Sequence, residues 1–89
     1  MINLCYVYIL QCKDNTLYTG WTINLNKRIE THNTGKASKY TRGRIPVKLV
    51  YFETYDNKID AQKREAEIKQ LPKNKKLKLI ECKNIEEVK

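Results

Sequence analysis

Two tyrosine tripeptides, Tyr6-Val7-Tyr8 and Tyr18-Thr19-Gly20, stand either side of a short polar turn. Strands use tyrosine freely, so one such tripeptide would mean little. Two of them place two phenols on one small sheet, and a phenol can donate, accept or transfer a proton, or stack on a base. Glu65 is the next residue whose position asks for chemistry. Ala61, Ile68 and Leu71 form the apolar stripe of a helix, and at about 100° per residue Glu65 falls between Ala61 and Ile68. A carboxylate there is desolvated unless a cation or hydrogen bonds compensate. Either a neighbouring lysine or arginine balances it, or it serves as the single carboxylate ligand of a Mg²⁺ ion that keeps most of its waters. Glu67 points elsewhere and reads as a solvated charge.

Arg28 and His32 lie at i and i+4, so they are neighbours on one helix, in the same arc as Leu25 and Ile29. An arginine there can fork onto a phosphate, and a histidine can relay a proton near neutral pH. A surface ion pair with Glu30 and a satisfied structural histidine are the plainer alternatives. Further on, Lys36, Lys39, Arg42 and Arg44 interleave with Tyr40 in a stretch that holds no acid. Cations that neutralise phosphates release counterions, and an aromatic among them can stack. The lysines at 73, 75, 76 and 78 alternate with leucines and read as an ordinary exposed helix face.

The elements that must position these groups are legible in outline. Residues 4–12 are apolar on both alternating faces, which suits a central strand covered on both sides. Residues 13–16 form a turn and 17–22 a second strand, making an antiparallel hairpin. Tyr8 and Tyr18 share a face only if the loop between paired positions is odd, so a loop of about three or five residues is expected. Asn24 caps a helix over 25–33, which Gly35 terminates. Residues 36–45 read as loop, Pro46 opens a strand over 47–55, and Asp56-Asn57 turns the chain. Helices follow over 58–70, ended by Pro72, and over 74–82, with a polar tail at 83–89. The order ββαβαα predicts an α+β domain over 1–82, a small three-stranded antiparallel sheet flanked by helices.

Bulk properties narrow the function. The chain has 89 residues and a formal net charge of +8, which favours a polyanionic partner, nucleic acid first. Its longest apolar run, Leu4 to Leu10, is too short to span a bilayer, and no signal peptide is expected. Cys5, Cys12 and Cys82 form no CxxC pair and suggest neither disulfides nor zinc, but buried thiols in a reducing cytoplasm. The three glycines are spread out and Ser38 is the only serine, so neither a phosphate loop nor a serine triad is expected. Without an aspartate cluster, any metal chemistry would use one ion.

Together these residues resemble the GIY-YIG nuclease superfamily, in particular its small stand-alone bacterial branch, from about Leu4 to Ile80. Tyr6-Val7-Tyr8 stands at the GIY tripeptide and Tyr18-Thr19-Gly20 at YIG. Arg28, His32 and Glu65 match the family's helix arginine, its following histidine and its metal-binding glutamate. The stretches GKASKYTRGRIPVKLVYFE and REAEIKQLPKNKKLKLI look like the stand-alone branch. Tyr6, Val7 and Thr19 depart from the consensus tripeptides and leave both tyrosines and the second glycine in place. The resemblance implies a DNA endonuclease using one Mg²⁺ or Mn²⁺ ion and a tyrosine base, with DNA repair or recombination as its setting. It assigns catalysis to Tyr8, Tyr18, Arg28, His32 and Glu65, the metal to Glu65, and the nucleic-acid backbone to the 36–44 stretch. Members of known specificity usually carry a further DNA-binding domain, which points here to a partner protein. The competing reading is a DNA- or RNA-binding module of the same fold that does not cut.

Overall fold

The computed structural model describes residues 4–82. Its elements run β1 (Cys5–Gln11), β2 (Leu17–Thr22), α1 (Leu25–Asn33), α2 (Lys39–Arg42), β3 (Lys48–Tyr55), α3 (Lys58–Gln70) and α4 (Lys73–Cys82). The three strands form one antiparallel sheet in the order β2-β1-β3, so the most apolar strand is the central one. The α+β architecture expected from the sequence is the one observed. The tail at 83–89 lies outside the described residues. One expectation fails: the 36–45 stretch is not all loop, because Ser38 accepts a hydrogen bond from the Tyr40 backbone and starts the short helix α2.

Alternation along β1 divides the core in two. Val7 and Ile9 point to one face, where Ala61 and Ile68 of α3 cover them together with Cys5 and Tyr51. Tyr8 and Leu10 point to the other, against Leu25 and Ile29 of α1 and against Val47, Leu49 and Phe52. The sheet therefore separates α1 from α3. Cys5 and Cys12 are buried thiols, as expected, whereas Cys82 is exposed at the end of the last helix.

Gln11 pairs with Leu17, leaving the five-residue connection 12–16. That odd length puts Tyr8, Leu10, Tyr18 and Gly20 on the α1 face. Asn15 takes a left-handed φ of 67° in this turn, and Asp14 accepts from both the backbone and the hydroxyl of Thr16.

Helix α1 begins where Asn24 Oδ1 accepts from the Lys27 backbone at 3.1 Å. It ends in a Schellman motif: Gly35, at φ +78°, donates to the His32 carbonyl, and Lys36 donates to that of Thr31. The Asn33 side chain exchanges two hydrogen bonds with the Val47 backbone, 2.7 and 3.2 Å, and so fastens the end of α1 to the entry of β3.

Pairing between β1 and β3 slips between Ile9 and Leu10, which face Tyr51 and Leu49 respectively. The extra residue, Val50, is a bulge. It lets Leu49 serve the α1 face while Tyr51 serves the α3 face. Glu53 and Tyr55, opposite Val7 and Cys5, fall on the α3 face with Tyr51.

Candidate active site

The Tyr8 hydroxyl is the centre of the site. Tyr8 stands opposite Gly20 on the edge strand β2, and its ring folds over that residue. A Cβ on Gly20 would lie 2.6 Å from the Tyr8 oxygen and 3.1 Å from a ring carbon of Tyr18. Glycine is needed here for space. The missing side chain allows the phenol to reach across β2.

Tyr8 Oη lies 3.0 Å from His32 Nε2, and His32 Nδ1 lies 2.8 Å from Thr41 Oγ1. All three side chains are buried, Tyr8 at 1% exposure and His32 at 0%. Burial, helped by the nearby Arg28 charge, holds the imidazole below its ordinary pKa. Burial, with the charges of Tyr18 and Glu65, raises the Tyr8 phenol well above its own, although Arg28 pulls the other way. At neutral pH the pair is phenol and neutral imidazole. Tyr8 then donates to Nε2, the ring proton sits on Nδ1, and Nδ1 donates to Thr41 Oγ1. Thr41 in turn faces the Ser38 carbonyl at 3.5 Å.

Around this relay the rings pack together, with both tyrosines edge to face on the imidazole. Tyr18 contacts His32 at 5.0 Å between centroids and Tyr8 at 6.4 Å. Tyr40 follows at 5.9 Å from Tyr18 and carries the Arg44 guanidinium 4.2 Å above its ring. Arg44 itself donates to Asp14 Oδ2 and to the Tyr40 carbonyl. It therefore fixes Tyr40 and is already engaged within the protein. Lys36, Lys39 and Arg42 line a shallow pocket with Ser38 and have no ion-pair partner among the described residues.

Arg28 is exposed, and no ion pair to Glu30 forms. Its charge acts on both Tyr8 and His32. Glu65 comes from the opposite face of the sheet, on α3, which lies across β1 and β2. Its charge nonetheless reaches the Tyr8 hydroxyl. The Glu65 side chain is 19% exposed, with Oε2 at 3.4 Å from Lys69 Nζ, the one-turn pair that a purely structural role would need. Its Oε1 has no protein partner among the described residues. No group of three or more His, Cys, Asp or Glu side chains that could hold a metal occurs among those residues. A lone carboxylate with a free oxygen fits a hard divalent ion that keeps its waters, and does not fit zinc.

Sequence reasoning missed two supports. Thr41 holds the histidine, and only the Ser38 capping position hinted that its segment was ordered. Glu53 accepts from both Tyr51 and Tyr55, and from Arg64 Nε and Nη2 at 3.0 and 3.1 Å. Burial alone would raise the Glu53 carboxyl, but the Arg64 and tyrosine hydrogen bonds outweigh it and hold it below its ordinary pKa. Burial and the Glu53 carboxylate push both phenols up to about 12. This network ties β3 to α3 one residue before Glu65.

The GIY-YIG catalytic domain model matches residues 4–78. A UPF0213 protein of Clostridium perfringens is 65% identical over 92% of this chain and 88% of its own. One from Staphylococcus haemolyticus is 57% identical over 85% and 93%. The solution NMR structure of a UPF0213 protein from Bacillus halodurans superposes with a TM-score of 0.61, at 44% identity over 91% of this chain and 86% of that one. By fold, by sequence and by the tyrosine pair at its centre, the chain belongs to the GIY-YIG catalytic domain family.

Proposed function

We propose that this protein is a divalent-metal-dependent endonuclease that hydrolyses DNA phosphodiester bonds. The observation that carries the reading is the Tyr8 hydroxyl, on which an imidazole, a guanidinium, a second phenol and a carboxylate all act. The raised pKa of Tyr8 rules against a standing phenolate, so the base works as a relay. Tyr8 accepts the proton of the attacking water as it passes its own to His32 Nε2, and Thr41 holds the ring in line. Proton demand falls on a neutral, buried imidazole whose depressed pKa keeps it ready at neutral pH.

Arg28, exposed and without an ion-pair partner among the described residues, neutralises the phosphate as charge builds on it. Tyr18 directs its hydroxyl to a phosphate oxygen or supports Tyr8. Glu65 holds one Mg²⁺ or Mn²⁺, which when bound supplies Lewis-acid stabilisation of the leaving oxygen. Lys36, Lys39 and Arg42 bind the backbone of the substrate.

The test is a panel of supercoiled, duplex, single-stranded, flap and branched DNA with Mg²⁺ or Mn²⁺, comparing wild type with Glu65→Ala and Tyr8→Phe. Metal-dependent nicking by the wild type, lost in both variants, is expected. Nicking that persists in either one would remove that residue from the reaction. Steeply salt-dependent binding with no cleavage by the wild type would establish the binding-module reading instead.

A further inference from the structure

Beside Tyr40 lies a groove of about 220 Å³, lined by Thr16, Leu17, Tyr40, Lys73 and Lys76. Three elements build it: the end of the β1–β2 turn, α2 and the first turn of α4. Three features give it a ligand chemistry. Tyr40 is 39% exposed yet fixed, because Arg44 holds it through the ring and through its carbonyl. Lys73 donates to the Asn15 carbonyl at 3.0 Å, which anchors its ammonium at the rim and leaves two protons free. Neither Lys73 nor Lys76 has an ion-pair partner among the described residues, and no acid lines the groove. The alternation of α4 suggested one exposed lysine face; the fold divides it, with Lys73 and Lys76 at the groove and Lys75 and Lys78 outside its lining.

We infer that this groove holds one unpaired nucleotide of a DNA strand, its base against Tyr40 and its phosphates on Lys73 and Lys76. A paired base keeps its faces stacked inside the duplex, so an exposed aromatic that shares a groove with two ammonium groups suits an unstacked one. The ring contacts Tyr40–Tyr18–His32 run from the groove to the relay and place that nucleotide next to the reacting phosphate. The inference rests on the nuclease reading for the identity of the strand, and it adds a preference for substrates with an unpaired nucleotide beside the cut.

Binding in EDTA isolates the groove from cleavage. A fluorescently labelled oligo-dT strand is titrated with the full chain over a range of salt concentrations. Wild type, Lys73→Ala/Lys76→Ala, the charge-matched Lys75→Ala/Lys78→Ala, Tyr40→Ala and Tyr40→Phe are compared. Loss of Lys73 and Lys76 is expected to flatten the slope of log K against log salt by about 1.4, at about 0.7 per phosphate contact on a single strand. Loss of Lys75 and Lys78 should flatten it by less than half as much. Tyr40→Ala should weaken binding about 10-fold or more, and Tyr40→Phe should retain it. An abasic strand of equal length should bind wild type less tightly than oligo-dT and show no further loss with Tyr40→Ala. Failure of the wild type to bind oligo-dT, or equal slopes for the two lysine pairs, overturns the inference. So does a Tyr40→Phe loss as large as that of Tyr40→Ala. Groove effects seen in a protein that never cuts would sink the nuclease reading alone. Cleavage with no groove effect would sink the groove alone.

Discussion

Replacing Gly20 with alanine tests the centre of the site with one methyl group. The new Cβ would sit 2.6 Å from Tyr8 Oη, where ordinary contact begins at 3.4 Å, so the hydroxyl must withdraw by about 0.8 Å. Tyr8 is fully buried, so it cannot swing out into solvent, and its partner is His32 at 3.0 Å. A displacement of that size exceeds the tolerance of a hydrogen bond. Overpacking costs roughly 1–3 kcal/mol, and the lost hydrogen bond about 1 kcal/mol more. Against this, alanine restricts the unfolded chain and returns about 0.4–1 kcal/mol. The net expectation is a loss of about 1–3 kcal/mol, or a fall in Tm of roughly 5–20 °C for a domain of this size. Activity should fall further than stability, because misplacing a reacting group by about 1 Å costs on the order of 100-fold. Urea unfolding gives the first quantity, nicking of supercoiled DNA the second, and the NMR signals of the His32 ring report the hydrogen bond directly. A Gly20→Ala protein of wild-type stability, with unshifted His32 resonances, would falsify the argument that this glycine makes room for the phenol.

Three further outcomes follow from the same geometry. His32 is the one histidine of the chain, and burial in the folded protein holds its pKa below the ordinary imidazole value. As the pH drops below about 6.5 the unfolded chain takes up a proton that the folded protein refuses. Stability should therefore decline until the folded pKa is passed, a slope that urea titrations of His32→Asn should lack. Glu65→Gln should change stability by no more than about 0.5 kcal/mol, since its partner Lys69 is exposed, while metal-dependent nicking disappears; a large loss of stability would mark Glu65 as structural. Glu53→Ala should cost about 2 kcal/mol in urea unfolding, less than a fully buried pair would, because Arg64 retains partial exposure. In the wild type the Glu53 contribution is present above its unfolded pKa, near 4.5, and fades as the pH falls through the lowered folded value. A Glu53→Ala protein of wild-type stability at pH 7 would show that the network is ornamental.

How far the sequence could be read depended on the range of the signal. Asn24 and Gly35 mark the ends of α1 because capping is settled within one turn of chain. The odd connection between the two tyrosine strands followed from parity alone. The 36–45 segment was misread because its helix is a single turn, too short for any periodicity, and because Thr41 gains meaning only from a histidine nine residues away. The Val50 bulge was invisible for the opposite reason. Nothing in VKLVYFE says which residue is the extra one, and β1 decides that in three dimensions. Glu53 stayed hidden as well: Tyr51 and Tyr55 share its face by plain alternation, but only the packing of α3 on the sheet brings Arg64 to it. The stripe argument did single out Glu65, but the approach of its charge to Tyr8 from beyond the sheet could not have been foreseen.

The bulge at Val50 resets the parity of β3. Leu49 and Tyr51 stand two apart, and straight pairing would send both to one side of the sheet; the extra residue sends Leu49 to the imidazole side and Tyr51 to the carboxylate side instead. Beyond it plain alternation resumes, with Phe52 on the imidazole side and Glu53 on the carboxylate side. A strand shortened by Val50 would pair straight and keep every side chain on its present face, so this is where β3 should best tolerate the loss of one residue.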